Sequence, residues 1–217
     1  MPRHIVTVMT LLLRPSIRSV TLDVPDPTAA GAFYAAAFGL DDQVRLRTAD
    51  APPTGFGGFM LSLAVSQPST VEGLIESAVE AGAATLKPPA KSASGYGGVV
   101  QAPDGTVWKI ATAATNGNGR ATRQIDQIVL LLGAEDVAAS KEFYLNRGFG
   151  AAKSFGSTYV EFATASSPVK LALSRRYALA EDAGVALDGT GSRRLSIGGN
   201  AGAFTDPDGF AWEPASV

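Results

Sequence analysis

Two places in the sequence put an ionisable residue directly after a tryptophan: Glu213 follows Trp212, and Lys109 follows Trp108. Because successive side chains of a strand point to opposite faces, a tryptophan packed under a helix would turn its neighbour toward the other face, where a cavity could lie. Glu213 could then act as a general base, with Lys109 as a charged group beside a ligand. If the two halves face each other, Lys109 and Glu213 could form an ion pair; the alternative is that each is solvated or separately paired.

Three further side chains are candidates for a site. Tyr159 and Glu161 alternate along a strand-like stretch and share a face, and Glu161 could act as a base if burial raised its pKa. Tyr96 is the only aromatic residue in a stretch rich in glycine, proline and serine, residues 87–98, which is typical of a loop. A tyrosine flanked by glycines could close over a ligand as a lid, although most such loops are connectors. The catalytic candidates are therefore Glu213, Glu161, Lys109 and Tyr96, any of which could transfer a proton.

Other residues could bind a ligand without taking part in chemistry. Ser19 and Thr21 lie on the polar face of an alternating run and could donate hydrogen bonds, or they could form the solvated side of a half-buried strand. Gln127 and Val129 occupy the corresponding face in the second half, which is more apolar and suits either an apolar ligand or packing. No nucleotide-binding glycine motif, nucleophile elbow or zinc-protease motif occurs in the sequence.

The composition excludes several classes of protein. The chain has 217 residues, of which 46% are apolar and 18% charged, so it is long enough to form a compact core. A net charge of −2 gives no basic excess for nucleic acid. With no cysteine and one histidine, His4, the chain cannot form a thiolate or multi-histidine metal site. The apolar stretch of residues 5–13 is too short to span a membrane and lacks a signal-peptide cleavage site, so we expect a cytoplasmic protein without a membrane partner.

Internal repetition predicts two related halves. Phe33-Tyr34 corresponds to Phe143-Tyr144, and a Pro-Asp-Gly turn precedes the tryptophan in both halves. The stretch between the halves has no hydrophobic period and is rich in residues that favour turns. The predicted organisation is a tail or extra strand at 1–16, a first domain at 17–113, a linker at 114–124 and a second domain at 125–217.

The spacing of apolar residues predicts the elements that would position these side chains. Asp26 caps a predicted helix that ends at Gly39, and Ser69-x-x-Glu72 reads as a capping box that opens a second helix ending at Gly82. In the second half a helix is predicted from about Asp136 to Arg147, followed between 175 and 199 by no more than a short turn near 178–183. Each half thus has one intact βαβββ unit and one shortened unit. Strands are predicted at 19–24, 59–65, 84–86, 97–101, 106–111, 127–132, 159–163, 169–174, 203–205 and 210–213.

This arrangement resembles the vicinal oxygen chelate superfamily, the glyoxalase/bleomycin-resistance/dioxygenase proteins. The resemblance is carried by SVTLDVPD and FY within 19–34, APDGTVWKI at 102–110, EDVAASKEFY at 135–144 and TDPDGFAWEP at 205–214. It implies an α+β fold whose two divergent halves are built of paired βαβββ modules. Curved, mostly antiparallel sheets would enclose a cup with the helices outside, commonly with a divalent metal ion at the floor of the cup.

The resemblance places metal ligands at a histidine that begins a module and at a glutamate after the Pro-Asp-Gly turn. In this chain the histidine positions are Ser19, Met60 and Val129, or Gln127 with a shifted alignment. The first glutamate position is Lys109, and only Glu213 keeps the family residue. Because a catalytic transition metal ordinarily takes three or more protein ligands, we expect no metal and no other cofactor. The ligand-binding candidates are Ser19, Thr21, Met60, Tyr96, Lys109, Gln127, Val129, Tyr159, Glu161 and Glu213.

Three functions are compatible with this pattern. The first is a metal-independent protein like the bleomycin-resistance proteins, which binds a small molecule, an aromatic one included, in the cup. The second is a glyoxalase-like lyase or isomerase, or a dioxygenase, with a rearranged site. The third is a protein whose cup is filled by side chains and which acts by assembly. Shortened modules would leave sheet edges that a second copy could cover, so a homodimer is a candidate, whereas duplication could equally make the monomer self-sufficient.

Overall fold

The structure is a computed structural model that describes residues 14–40, 42–49, 55–117, 119–163, 167–187 and 194–215. His4 and most of the predicted N-terminal tail lie outside these ranges. The helices are α1 (Pro27–Phe38), α2 (Pro68–Glu80), α3 (Val137–Leu145) and α4 (Arg176–Ala183). The strands are β1 (Ile17–Val24), β2 (Val44–Thr48), β3 (Phe59–Ala64), β4 (Ala84–Ser92), β5 (Gly95–Gln101), β6 (Val107–Thr112), β7 (Gln127–Ala134), β8 (Gly150–Phe155), β9 (Tyr159–Ala163), β10 (Val169–Arg175), β11 (Leu195–Gly199), β12 (Phe204–Thr205) and β13 (Ala211–Pro214).

The ends of α1 follow the predicted local rules. The carboxylate of Asp26 accepts hydrogen bonds from the backbone N–H groups of Thr28 and Ala29, at 2.9 and 3.0 Å. Proline occupies the first turn, and Gly39 ends the helix in the left-handed region at φ 67°. The predicted helix is therefore confirmed at both ends.

The start of α2 differs from the predicted capping box. The helix begins at Pro68, and the N-cap residue Gln67 makes no side-chain capping bond. Ser69 instead lies inside the first turn and donates to the backbone oxygen of Gly119, 2.8 Å away. Proline is well suited to the first helical position because it lacks an N–H that would be unpaired there. The helix therefore begins at Pro68, one residue before the predicted cap Ser69.

The strands form one mixed sheet in which antiparallel pairs predominate, as predicted for this α+β fold. It contains two intact βαβββ modules, β3-α2-β4-β5-β6 and β7-α3-β8-β9-β10, which join through the antiparallel pair β3·β7. The shortened units supply a second region, in which β1 pairs with β2 and β11, and β11 pairs with β13. We call this region the short wing and the two intact modules the long wing.

The wings meet at β1 and β10, through the pair Ile17–Val169. The intact module of the first half therefore pairs with the intact module of the second half, through β3 and β7. The shortened units of the two halves pair with each other through β1 and β11. The domain boundaries themselves remain a prediction. Strands β2, β8 and β11 were not predicted from the sequence.

Helices α1, α2 and α3 pack on one face of the sheet, which we call the outer face. The main core lies there, and it includes Trp108, Trp212, Tyr34 and Tyr144. The hydroxyl of Tyr34 donates to Asp104 Oδ2 at 2.6 Å, and that of Tyr144 donates to Asp206 Oδ2 at 2.6 Å. Each half thus anchors its first helix to the turn before its last strand.

The tyrosine anchor should contribute measurably to stability. We expect Tyr34→Phe to lower the free energy of unfolding by about 1.5–3 kcal/mol, because Asp104 Oδ2 is buried and would lose a charge-assisted hydrogen bond. Urea denaturation would measure this change. Tyr177→Phe is the matched control, because Tyr177 is 67% exposed and should change stability by less than about 0.5 kcal/mol. Equal effects of the two substitutions would contradict the anchoring role.

Candidate functional site

The face of the sheet opposite α1, α2 and α3 is here called the inner face. Strand alternation assigns residues to it: Leu61 and Trp108 belong to the outer core, so their neighbours Met60 and Lys109 point inward. The predicted relation between Trp108 and Lys109 is thus observed. Trp212 likewise packs in the outer core, and Glu213 lies on the inner face.

Strand register brings several predicted residues into rows across the inner face of the long wing. One row runs through Val99, Lys109, Ser62, Val129 and Lys170, from β5 across β6, β3 and β7 to β10. The next row contains Met60, Leu131, Ala172 and Glu161. Met60, Lys109, Val129 and Glu161 therefore share one surface, although they come from both halves of the sequence.

Helix α4 packs on this inner face. Leu179, Ala180 and Ala183 are buried in a small apolar cluster of their own, separate from the main core. On the sheet side the cluster contains Met60, Val99 and Val107, together with Phe56 from the segment before β3. The sequence predicted only a short turn here, so the helix that occupies part of the cup is an unpredicted element. Gly184, in the left-handed region at φ 73°, is the signal that could have marked its end.

Lys109 forms an ion pair with α4. Its ammonium nitrogen lies 2.7 and 3.0 Å from the two carboxylate oxygens of Asp182. Lys109 and Glu213 do not pair with each other; the structure has the alternative in which they are separately paired, and Glu213 lies 3.5 Å from Arg47 on the short wing. Lys109 has this partner because α4 places Asp182 against the inner face of the long wing, at β6.

A cleft of about 430 Å³ lies beside this ion pair. Lys109 and Asp182 line it together with Val99 and Ala111 of the sheet. The hairpin β4–β5 forms its other wall and contributes the further cations Lys87 and Lys91. The cleft therefore combines an apolar sheet surface with three ammonium groups and one carboxylate.

Tyr96 lies in a strand, not in the predicted loop. The stretch predicted as a loop is the hairpin of β4 and β5, and Tyr96 is part of strand β5. Tyr96 lines the cleft beside α4, and its hydroxyl donates to Glu72 of α2 at 2.7 Å, so the side chain reaches toward the outer helices. Two strands replace the expected loop because the prolines and glycines fall in an edge hairpin with register shifts, where such residues are tolerated.

Tyr159 and Glu161 share the inner face of β9, as predicted. Burial, assisted by the neighbouring carboxylate of Glu161, raises the pKa of Tyr159 to about 12, so the phenol is neutral at physiological pH. The carboxylate of Glu161 also lies 3.7 Å from the ammonium of Lys153 on the edge strand β8. Neither residue lines the cleft beside α4.

The remaining candidates lie apart from the cleft. Ser19 and Thr21 are on the inner face of β1 in the short wing, opposite Gly198 and Ser196 of β11. Gln127 is at the start of β7, where its side-chain amide donates to the backbone oxygens of Ile128 and Pro168, at 3.0 and 2.9 Å. The structure therefore divides the predicted site between its two wings.

The positions that the resemblance assigns to metal ligands do not suit a divalent ion. Met60 is fully buried against α4, and Lys109 presents a cation. Glu161 and Glu213 lie on strands separated by β10, β1 and β11 in the sheet, and each is paired with a cation, Lys153 and Arg47 respectively. Among the described residues no group of three or more histidine, aspartate or glutamate side chains could hold a metal ion.

The fold matches solved structures at low sequence identity. Glyoxalase I from Zea mays aligns with a TM-score of 0.63 and 14% identity over 91% of each chain. A putative dioxygenase from Bacillus subtilis subsp. subtilis str. 168 aligns with a TM-score of 0.54 and 13% identity, over 84% of this chain and 69% of that chain. No protein-family model and no curated protein matches the sequence.

In the ranges that the structure describes, no helix has the length and apolar character needed to cross a membrane.

Proposed function

We propose that this chain, whose fold is that of the glyoxalase-like proteins, binds a small acidic molecule without a metal ion in the cleft beside α4. The observation that carries the proposal is the Lys109–Asp182 ion pair on the wall of that cleft. It puts a cation where the resemblance implies a metal-ligating glutamate. A lysine at this position favours a ligand that brings its own negative charge.

The lining of the cleft supports a ligand that is partly apolar. Val99 and Ala111 offer apolar surface, which suits the ring of an aromatic molecule. Lys87 donates to the backbone oxygen of Glu181, at 2.6 Å, so its charge is fixed at the rim. The volume of about 430 Å³ lies within the range of sites for small ligands.

Binding of an aromatic acid tests the proposal. We expect 2-naphthalenesulfonate to bind in isothermal titration calorimetry, and Lys109→Met to weaken it by about tenfold, the loss of one charge-assisted contact. Asp182→Asn should strengthen it, because the ammonium of Lys109 would lose its competing carboxylate. The two substitutions thus change affinity in opposite directions.

Controls separate this site from non-specific binding. Lys170→Met removes a lysine from the same inner row but outside the cleft, and it should leave affinity unchanged. The proposal fails if the sulfonate does not bind the unmodified protein, or if Lys109→Met and Lys170→Met weaken it equally. Circular dichroism of each variant confirms that the fold is retained.

The enzymatic alternative has less support. Of the catalytic candidates, Glu161 and Glu213 do not line the cleft. Lys109 and Tyr96 do, but Lys109 is paired with Asp182 and the hydroxyl of Tyr96 is bound to Glu72. The third function, a protein whose cup is filled by side chains, fits only the part of the inner face that α4 covers. The cleft beside α4 is open. A homodimer and a cytoplasmic location remain predictions.

A further inference from the structure

Arg194 is a buried cation next to the start of β11. Its residue exposure is 9%, and its guanidinium Nη1 donates to the backbone oxygens of Asp23, at 3.1 Å, and Asp104, at 3.5 Å. Both acceptors are neutral carbonyl groups. The side chain is therefore held in place without its charge being neutralised by them.

No carboxylate of the described residues lies within ion-pair distance of Arg194. The two nearby acidic side chains are bound elsewhere: Asp23 accepts from Arg47 at 2.7 Å, and Asp104 accepts from Tyr34 at 2.6 Å. Burial lowers the pKa of the Arg194 guanidinium, and the fields of Asp104, Tyr34 and Asp23 oppose this effect only in part. Among the described residues this charge thus has no counterion; a buried charge of that kind is costly, and an anion bound beside it would offset the cost.

Arg194 lines a second cavity, of about 230 Å³, that is distinct from the cleft of the proposed function. Gln101 and Thr106 also line it, with the side-chain amide of Gln101 donating to the backbone oxygen of Gly105 at 3.2 Å, and Phe56 and Val107 provide apolar walls. Asp182 of α4 lines the cleft, whereas Val185, just beyond the end of α4, lines this cavity. The two cavities share none of their lining residues.

We propose that the Arg194 cavity is a binding site for a small organic carboxylate. A guanidinium is a planar fork that matches the two oxygens of a carboxylate, and the hydrogen bonds to Asp23 and Asp104 use only one of its three nitrogens. The apolar walls favour an organic group attached to the carboxylate. The volume, below the roughly 300–1,000 Å³ of drug-sized sites, limits the ligand to a small one.

Calorimetric titration with benzoate tests this site. We expect benzoate to bind the unmodified protein and its neutral analogue benzamide not to bind, because the charge is what the site recognises. Arg194→Met should weaken benzoate binding by at least about tenfold, and Arg194→Lys, which keeps the charge but loses the fork, should weaken it less. Arg18→Met, at an exposed position of β1, is the matched control and should change nothing.

Several results would overturn the assignment. Unchanged benzoate affinity in Arg194→Met, absence of benzoate binding to the unmodified protein, or preference for inorganic phosphate over benzoate would each do so. Binding of 2-naphthalenesulfonate to Arg194→Met serves as the internal check on folding and separates the two sites. If Arg194→Met does not fold, Arg194→Lys is the test. If its benzoate affinity equals that of the unmodified protein, the proposed two-pronged contact between the guanidinium and the carboxylate is wrong.

Discussion

Leu179→Asp is expected to release α4 from the inner face while the outer core stays folded. Leu179 is 1% exposed and belongs to the small apolar cluster under α4. A carboxylate at this position would be buried among apolar side chains, which is costly. The loss of a buried leucine contributes about 2–5 kcal/mol by itself, which is large compared with the few contacts that hold one short helix. The helix should therefore detach rather than bury the charge.

Hydrogen exchange measured by mass spectrometry distinguishes local release from global unfolding. Amides of α4 should lose protection in Leu179→Asp, and those of β3 and β7 should keep it, because these strands also face the separate main core. Tyr177→Asp is the control on the same helix, at an exposed position. Loss of protection throughout the sheet would instead mean that α4 is an integral part of the cooperative core.

Trp212→Ala is expected to give the largest loss of global stability, about 3–5 kcal/mol in the free energy of unfolding. The ring of Trp212 stacks on Phe204 with centroids 5.1 Å apart and contacts Phe149 edge-on at 5.4 Å. Its indole N–H also donates to the hydroxyl of Tyr144, at 3.1 Å. The substitution would therefore remove a ring and a hydrogen bond from the same buried cluster.

Urea denaturation checks this value, with Phe155→Ala as the control. Phe155 is also aromatic but 65% exposed on the edge strand β8, so its removal should cost less than about 0.5 kcal/mol. Trp212 of β13 contacts Tyr144 of α3, so the cluster joins α3 to the short wing. Similar losses of stability for the two substitutions would show that this cluster does not stabilise that packing.

Features set by local chemistry could be predicted from the sequence. Asp26 and Gly39 bound α1 because a cap and a left-handed stop depend only on neighbouring residues. The inward direction of Lys109 followed from the position of Trp108 in a strand. These inferences need no knowledge of how distant elements meet.

Features set by distant contacts could not be predicted in the same way. The buried side of α4 has one large apolar residue, Leu179, and otherwise alanines, so its periodicity is too weak to reveal that it covers a sheet. The partner of Lys109 depends on that docking, because Asp182 reaches the inner face only with α4. Arg194 gave no signal at all, since burial of a single arginine depends on the surrounding strands and turns.

The pairing of the short wing also constrains the order in which the chain can fold. Strand β1 pairs with β2 on one edge and with β11 on the other, with Leu22 opposite Leu195, so one of its two neighbours is synthesised far later in the chain. The long wing needs only residues 59–175 and has its two modules adjacent in sequence. Because loop closure costs more entropy as the intervening chain lengthens, the long wing can nucleate first, and β1 must wait with an unpaired edge until β11 emerges. During translation that unpaired edge of β1 is exposed to mispairing and aggregation.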